Sequence, residues 1–279
     1  MLTIQNFHPA ECLRNHVKYF WKLEAGELNS TRQCFQIFPD GLPGLLFHHH
    51  HGKQALELPD KQKLPASFVY GLSTRAFTNY TNIGFSAIGV SLYPWALHTI
   101  FKINSAEFSN QMVALEDLTD FTLNERLFNA PDADNAIKIL SGYLIQKINY
   151  TLSEDLVIKD SIQQISNNPE ALIRDLIRNY QLSERQFERR FKHTTGVSPY
   201  QYSKVLRFQR SLTKLNFYPD EHLSAIAYSS GFADQSHFIR EFKQYSGVTP
   251  NSYLKIKQQN QHLLSGHVQH TIPQRILLI

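Results

Sequence analysis

The sequence predicts an α+β fold, with a β-rich N-terminal domain of sandwich or barrel type and an all-α C-terminal domain. Residues 17–93 contain short runs of aromatic and β-branched residues separated by Gly, Pro, Asp and Asn, which is typical of strands joined by turns. After Pro94 the apolar residues recur at helical spacing. Near the C-terminus one helical unit occurs twice. We therefore expect domains at residues 1–167 and 168–260, followed by a tail at 261–279.

The composition favours a two-domain cytoplasmic protein. The 279 residues are 42% hydrophobic and 12% aromatic, which is enough to build two cores. The sequence has no apolar run of membrane-spanning length, and its first residues lack the hydrophobic stretch of a signal peptide. We therefore expect no membrane partner. Cys12 and Cys34 lack metal-type spacing, so we expect free, reduced thiols.

Helices are predicted between the strands and the repeated unit. They cover Trp95–Phe101, Leu115–Phe128, Ala133–Tyr150 and Glu154–Ser166. The third carries a broad apolar stripe at helical spacing. Such a stripe usually packs onto its own domain, but it can also form a dimer interface, and the sequence leaves a homodimer open.

The most informative feature is a repeat with an offset of 51 residues. Ser183 to Lys204 aligns without a gap with Asp234 to Lys255. In each copy, two phenylalanines lie on one face of a helix plotted at about 100° per residue. The opposite face of the first copy carries Arg185, Glu188, Arg189 and Lys192, and that of the second carries Ser236, Ile239, Arg240 and Lys243. One such helix is usually an ordinary surface helix, but duplication with the same arginine in both copies favours two DNA-reading helices.

A short apolar helix precedes each copy and completes two helix-turn-helix units. These helices are predicted at Ala171–Asn179 and His222–Ser229. Gly231 supplies a flexible turn residue in the second unit. The first unit has no glycine there, so Asn179 is expected to adopt the left-handed conformation.

The ends of the reading helices are also marked in the sequence. Ser183 and Asp234 stand at N-cap positions, where their side-chain oxygens can accept from the first backbone N–H groups. Gly196 and Gly247 stand where the helices should end.

A continuous helix is predicted between the two units, at Ser198–Leu215, with Pro199 at its first position. At this length it would span about 25 Å and could hold two reading helices about 34 Å apart, one turn of B-DNA. Residues 169–260 hold 14 Lys and Arg against 8 Asp and Glu, whereas residues 1–168 hold 13 against 16. The basic excess therefore lies where phosphate contacts are expected, and the predicted partner is double-stranded DNA.

These features resemble the AraC family of bacterial transcription regulators. The stretches LSERQFERRFKHTTGVSPYQY and LSAIAYSSGFADQSHFIREFKQYSGVTPNSY are similar to the family's pattern, the second almost residue by residue. The resemblance implies base-reading residues at Arg185, Glu188, Arg189, Gln235, Ser236, Ile239 and Arg240. Among these, arginine suits bidentate contact with guanine, and glutamate can accept from cytosine N4. Ser183, Arg190, Lys192, Asp234 and Lys243 are expected to contact the DNA backbone and position the protein.

The N-terminal domain has a looser resemblance to the cupin-like sensory domain of the same family. That resemblance implies a small-molecule effector, and activation, the family's commoner role, would make RNA polymerase a partner. No cofactor is expected. The apolar end of the chain, RILLI, is expected to dock on a surface that the sequence does not identify.

Four consecutive histidines, His48 to His51, suggest an alternative, a metal-dependent cupin-like enzyme with a helical appendage. Only alternate residues of a strand share a face, so at most two of the four can converge. Cupin enzymes add a glutamate a few residues later and a distant histidine. Glu57 lies too far along, so a strand end or the edge of a ligand pocket is the favoured interpretation, and neither a metal site nor an enzyme is predicted.

Overall fold

The computed structural model of the chain describes residues 2–26, 32–50, 53–118, 122–148, 154–169, 173–259 and 276–278. Its strands are β1 (Leu2–Phe7), β2 (Val17–Ala25), β3 (Gln33–Ile37), β4 (Gly44–His49), β5 (Ser67–Tyr70), β6 (Phe77–Thr81), β7 (Phe85–Leu92), β8 (Met112–Ala114) and β9 (Ile276–Leu278). They form a larger sheet in the order β1-β2-β7-β4-β5-β8 and a smaller sheet in the order β6-β3-β9. Every strand pair is antiparallel.

The larger sheet is buried on both faces. Along β2, Phe20 packs with the helices, whereas its neighbour Trp21 belongs to a second core that also contains Phe35 of the smaller sheet. Side chains of a strand alternate between faces, so the same strand supplies both cores. The β-rich fold expected from the sequence is confirmed, as two sheets with helices against the outer face of the larger one.

The helices before the repeated unit differ in part from their predicted bounds. They are α1 (Ala96–Phe101), α2 (Thr122–Phe128), α3 (Ala133–Lys147) and α4 (Leu156–Asn167). The single helix predicted over Leu115–Phe128 is wrong, because the segment begins with a 3-10 turn at Leu115–Asp117 before α2. Most of the apolar stripe of α3 is buried in its own core, and Tyr150 lies outside the described residues.

Six helices follow among the described residues. They are α5 (Ile173–Asn179), α6 (Glu184–Thr195), α7 (Pro199–Phe217), α8 (Leu223–Ser229), α9 (Gln235–Ser246) and α10 (Pro250–Gln259). Two helix-turn-helix units, α5–α6 and α8–α9, are joined by α7, as the sequence predicts. Ala171 and Leu172 lie outside the described residues. None of the described helices is long and apolar enough to cross a membrane.

The residues predicted to begin and end the two reading helices take those positions in the structure. Ser183 forms a capping box with Gln186, and Asp234 accepts from the backbone N–H of His237 at 2.8 Å. Gly196 and Gly247 end α6 and α9 in the left-handed conformation, with φ of 94° and 79°.

The turn of the first unit corrects the prediction made for Asn179. Gln181, not Asn179, has the positive φ, at 54°, whereas Gly231 takes the corresponding role in the second unit at 81°. Asn179 is the last residue of α5. Glutamine has a β-carbon and therefore pays a steric cost in this conformation that glycine does not.

The end of the chain docks on the smaller sheet. Strand β9 pairs with β3, joining Ile276 to Ile37 and Leu278 to Phe35 in register. Leu277 is buried in the core of the second unit, beside Phe38, the residue that follows β3. The second unit is thus attached to the N-terminal sheet by both Phe38 and the C-terminal strand; of the predicted tail, residues 261–275 lie outside the description.

Candidate nucleic-acid interface

The predicted base-reading residues lie on the outer faces of α6 and α9. Arg185 and Arg189 are exposed on α6, and Glu188 is half-buried beside them. Gln235, Ser236 and Arg240 are exposed on α9. Ile239 is half-buried and packs against the core of the second unit. Each reading helix therefore presents an arginine at the same repeat position with its guanidinium accessible to a ligand.

The predicted backbone-contacting residues fall into two groups. Ser183, Lys192, Asp234 and Lys243 are exposed. Arg190 is half-buried, and its guanidinium donates to both carboxylate oxygens of Asp155, at 2.8 and 2.6 Å. Asp155 also caps α4 by accepting from the Ile158 N–H. The hydrogen bonds that Arg190 donates to Asp155 raise the pKa of Arg190, whose charge is engaged within the protein.

The residue that corresponds to Arg190 in the second unit has the opposite charge. Glu241 is buried, and its carboxylate lies 3.3 Å from Arg207 and 3.0 Å from Lys204, both on α7. His237, one turn earlier on α9, lies 3.3 Å from the same carboxylate. Arg207 also donates to the Gly231 carbonyl in the turn between α8 and α9. This cluster fixes the second reading helix to the connecting helix.

A cleft of about 300 Å³ separates α6 from α1 and the start of α4. Arg189 and Arg190 form part of its wall. His193 of α6 packs edge-on against His98 of α1, with ring centroids 4.7 Å apart. Burial, and then the charge of His98, lower the pKa of His193. The first reading helix thus contacts the N-terminal part of the chain through His193, whose pKa this contact lowers.

The histidine run is a structural feature of the sheet. His48 is fully buried; its Nε2 lies 2.9 Å from the Pro65 carbonyl and its Nδ1 accepts from the Ala55 N–H. Burial lowers the pKa of His48 to about 4. His50 forms a backbone bridge with Lys53, and His51 lies outside the described residues. Among the residues the structure describes, no three His, Cys, Asp or Glu side chains are grouped to hold a metal ion.

A second cavity lies between the two sheets, with a volume of about 80 Å³. Its wall is mainly aromatic and aliphatic, and includes Trp21, Phe35 and Phe85. Phe38 also lines it and packs on Phe208 of α7 and Tyr253 of α10, at centroid distances of 6.0 and 5.9 Å. One side chain therefore touches both the cavity and the core of the second unit.

Sequence reasoning missed the partners of the interface. Neither Asp155, which lies in the helix predicted at Glu154–Ser166, nor Glu241 was assigned a role from the sequence. The repeat itself contained a signal, because Arg190 and Glu241 occupy the same position with opposite charge. Such a reversal indicates that the two copies have different neighbours there.

The fold and the paired reading helices define a protein with a double helix-turn-helix domain. Residues 176–256 match the family model described as a helix-turn-helix domain (HTH_18), and residues 5–114 match a domain of unknown function (DUF6597). The C-terminal domain is therefore a helix-turn-helix domain similar to those of the AraC family.

Curated relatives are similar over part of their length. The HTH-type transcriptional regulator MtrA of Neisseria gonorrhoeae is 30% identical over 159 residues, which is 54% of this chain and 52% of that protein. The HTH-type transcriptional activator RhaS of Escherichia fergusonii is 35% identical over 71 residues, or 25% of each chain. The chain thus spans about half, or less, of the length of these relatives. Among solved structures, ToxT from Vibrio cholerae is 11% identical with a TM-score of 0.43, covering 95% of this chain and 99% of that one.

Proposed function

We propose that the protein is a sequence-specific DNA-binding transcription regulator that reads two successive major-groove segments with α6 and α9. The observation that carries the proposal is the exposed arginine at the same position of both capped reading helices, Arg189 and Arg240. α7 has 19 residues and spans about 28 Å, which suits reading helices placed about one turn of B-DNA apart. Capped helices present exposed side chains in a fixed direction, as base recognition requires.

Within this proposal the exposed arginines read bases and the lysines position the protein. Arg185, Arg189 and Arg240 suit bidentate contact with guanine O6 and N7, and Glu188 can accept from cytosine N4. The other proposed base-reading residues are Gln235, Ser236 and Ile239. Lys192 and Lys243 would contact phosphates, with Ser183 and Asp234 contributing through the helix ends. Arg190 joins them only when it is released from Asp155.

We propose further that the N-terminal domain binds a small-molecule effector in the cavity between the sheets. Phe38 supports this, because it lines the cavity and packs in the second unit. The adjacent Pro39 carbonyl accepts from Gln209 of α7 at 2.5 Å. A ligand that shifts the segment after β3 would therefore act directly on the connecting helix. Cytoplasmic location, activation through RNA polymerase and a homodimer belong to the same proposal.

The test uses the full chain, because the first unit shares a continuous core with the N-terminal helices. Selection from random duplex oligonucleotides should yield a long asymmetric site, and its affinity should fall steeply with salt because bound counterions are released. Arg189→Ala or Arg240→Ala should each relax the preference within one half of the site at a cost of about 1–3 kcal/mol.

Lys192→Ala and Lys243→Ala are the matched controls. Each should weaken binding to all sequences about equally, because a phosphate contact carries no sequence information. A full chain that enriches no sequence, or arginine variants that keep the wild-type preference in both halves, would refute the proposal.

A further inference from the structure

Asn79 is a buried polar side chain in the mainly apolar wall of the cavity between the sheets. It lies on β6, paired with Phe35 of β3, and is 1% exposed. Both its side-chain oxygen and its side-chain nitrogen lack a hydrogen-bond partner among the described residues. Buried amides in folded proteins nearly always have partners, so an unpaired one that lines a cavity calls for an explanation. The group is placed to donate to and accept from a molecule in the cavity.

The remaining wall restricts what that molecule can be. The side chains around Asn79 are mostly apolar, among them Leu23, Leu46, Leu56 and Phe77. No Lys, Arg or His is found among the described residues that line the cavity, and Asp40 adds a carboxylate. An anionic ligand would lose its hydration without gaining a counter-charge, which is strongly unfavourable in an apolar site. A neutral ligand has no such penalty.

We propose that the cavity binds a compact neutral molecule of about one ring that carries a carboxamide or lactam group, and that Asn79 is its specificity-determining residue. This inference rests on the proposed effector-binding role of the N-terminal domain and specifies the chemical class of the effector. A carboxamide edge has one donor beside one acceptor, and so does the side chain of Asn79, so two antiparallel N–H···O bonds can form. The cavity volume of about 80 Å³ limits the ligand to a small body.

Three probes of similar shape test the ligand class on the full wild-type chain. Benzamide is neutral with the complementary edge, benzoate carries a negative charge, and toluene has no polar group. We expect calorimetry to show benzamide binding about tenfold or more tightly than either of the others, because only benzamide satisfies the buried amide. A ligand that binds only the folded state should also raise the thermal unfolding midpoint. This comparison requires no variant.

Asn79→Leu then tests the residue. Leucine has the same branched skeleton as asparagine with apolar ends, so the variant should fold at least as stably as the wild type and should prefer toluene over benzamide by about tenfold. Asn82→Leu, at an exposed residue just after β6, is the matched control and should keep the wild-type order. Equal or undetectable affinity for all three probes, tightest binding of benzoate, or unchanged benzamide affinity in Asn79→Leu would each overturn the proposal.

DNA binding is measured separately on the same preparations. If the probes are not discriminated while the full chain still selects a DNA sequence, the ligand assignment fails and the regulator proposal stands. If the probes are discriminated but no DNA sequence is selected, the cavity assignment stands and the regulator proposal fails. The two failures are therefore distinguishable.

Discussion

The two helix-turn-helix units share a sequence pattern but are held in place by different means. The second has a core separate from that of the N-terminal helices, which includes Phe208, Phe238 and Phe242 together with Phe38, and its reading helix is fixed by the buried Glu241. The first has no separate core, because Phe187 and Phe191 belong to the same cluster as the N-terminal helices and sheet.

The outer contacts of the two reading helices differ in the same way. α6 reaches the N-terminal region through Arg190–Asp155 and His193–His98. In the second unit the equivalents of Arg190 and His193 are Glu241 and Gln244. The two copies thus share the exposed face of the reading helix but differ in the contacts that hold that helix to the rest of the protein. We therefore expect the stability of the first unit to depend on charge and pH, and that of the second to depend on core packing.

The largest expected effect comes from the packing of the second unit. Phe38→Ala should lower the free energy of unfolding by about 3–5 kcal/mol, because it removes a fully buried ring that contacts Phe208 and Tyr253. Urea unfolding followed by fluorescence measures the loss. Tyr228→Ala, at a side chain that is 65% exposed, is the control and should change little. A loss below about 1 kcal/mol for Phe38→Ala would show that the second unit does not depend on the N-terminal segment.

The next largest effect is a difference in stability loss between the two units when the same repeat position, Arg190 or Glu241, is substituted. Glu241→Gln should cost about 1.5–3 kcal/mol, because it removes the charge-assisted contacts of a buried carboxylate with Arg207 and Lys204. Arg190→Gln in the first unit should cost about 1 kcal/mol or less, since its ion pair is partly exposed. Urea midpoints of the two variants test this order. Equal losses would contradict the distinction between a buried and a surface attachment.

The sequence predicted the C-terminal helices well because their ends carry local signals. Ser183, Ser198 and Asp234 are caps whose partners lie three residues away, so short-range chemistry determined those boundaries. α10 was not predicted, although Thr249, which accepts from the Ser252 N–H, and Pro250 mark its start. The left-handed turn residue was assigned to Asn179 from residue preference, whereas the structure has it at Gln181.

Contacts between distant parts of the chain could not be predicted from one sequence. The pairing of β9 with β3 joins residues more than 200 positions apart, and the apolar RILLI gave only the expectation that it docks. Asn79 looked like any polar residue in a strand, because its burial depends on the second sheet. The candidate DNA-facing residues were found from the repeat, whereas their partners required the fold.

A smaller effect is expected from the ion pair that holds α6. Asp155→Asn keeps the cap of α4 but removes the charge opposite Arg190. We expect a stability loss of about 1 kcal/mol or less. The freed arginine should steepen the dependence of log Kd on log salt by about one unit, corresponding to one additional phosphate contact.

Asp134→Asn on α3 controls for the change in net charge. It should leave the salt dependence close to that of the wild type, because only a charge near the DNA gains a phosphate contact. An unchanged salt dependence in Asp155→Asn would mean that Arg190 does not reach DNA when freed.

The smallest effect is a pH response confined to the first unit. Burial, and then the charge of His98, lower the pKa of His193 below its ordinary value of 6.5, with Glu107 acting in the opposite direction. Because the unfolded state binds the proton more readily, the contribution of the neutral His193 imidazole to stability is complete above about pH 6.5 and is lost as the pH falls below it.

Hydrogen exchange at pH 7.5 and 5.5, corrected for intrinsic rates, should show α6 losing protection relative to α9. His193→Gln introduces the residue that the second copy has at this position, so it should remove the difference without abolishing the pH dependence that His16 and His48 give to the whole chain. Equal loss of protection in α6 and α9, or an unchanged difference in His193→Gln, would show that the attachment of the first unit does not sense pH through this pair.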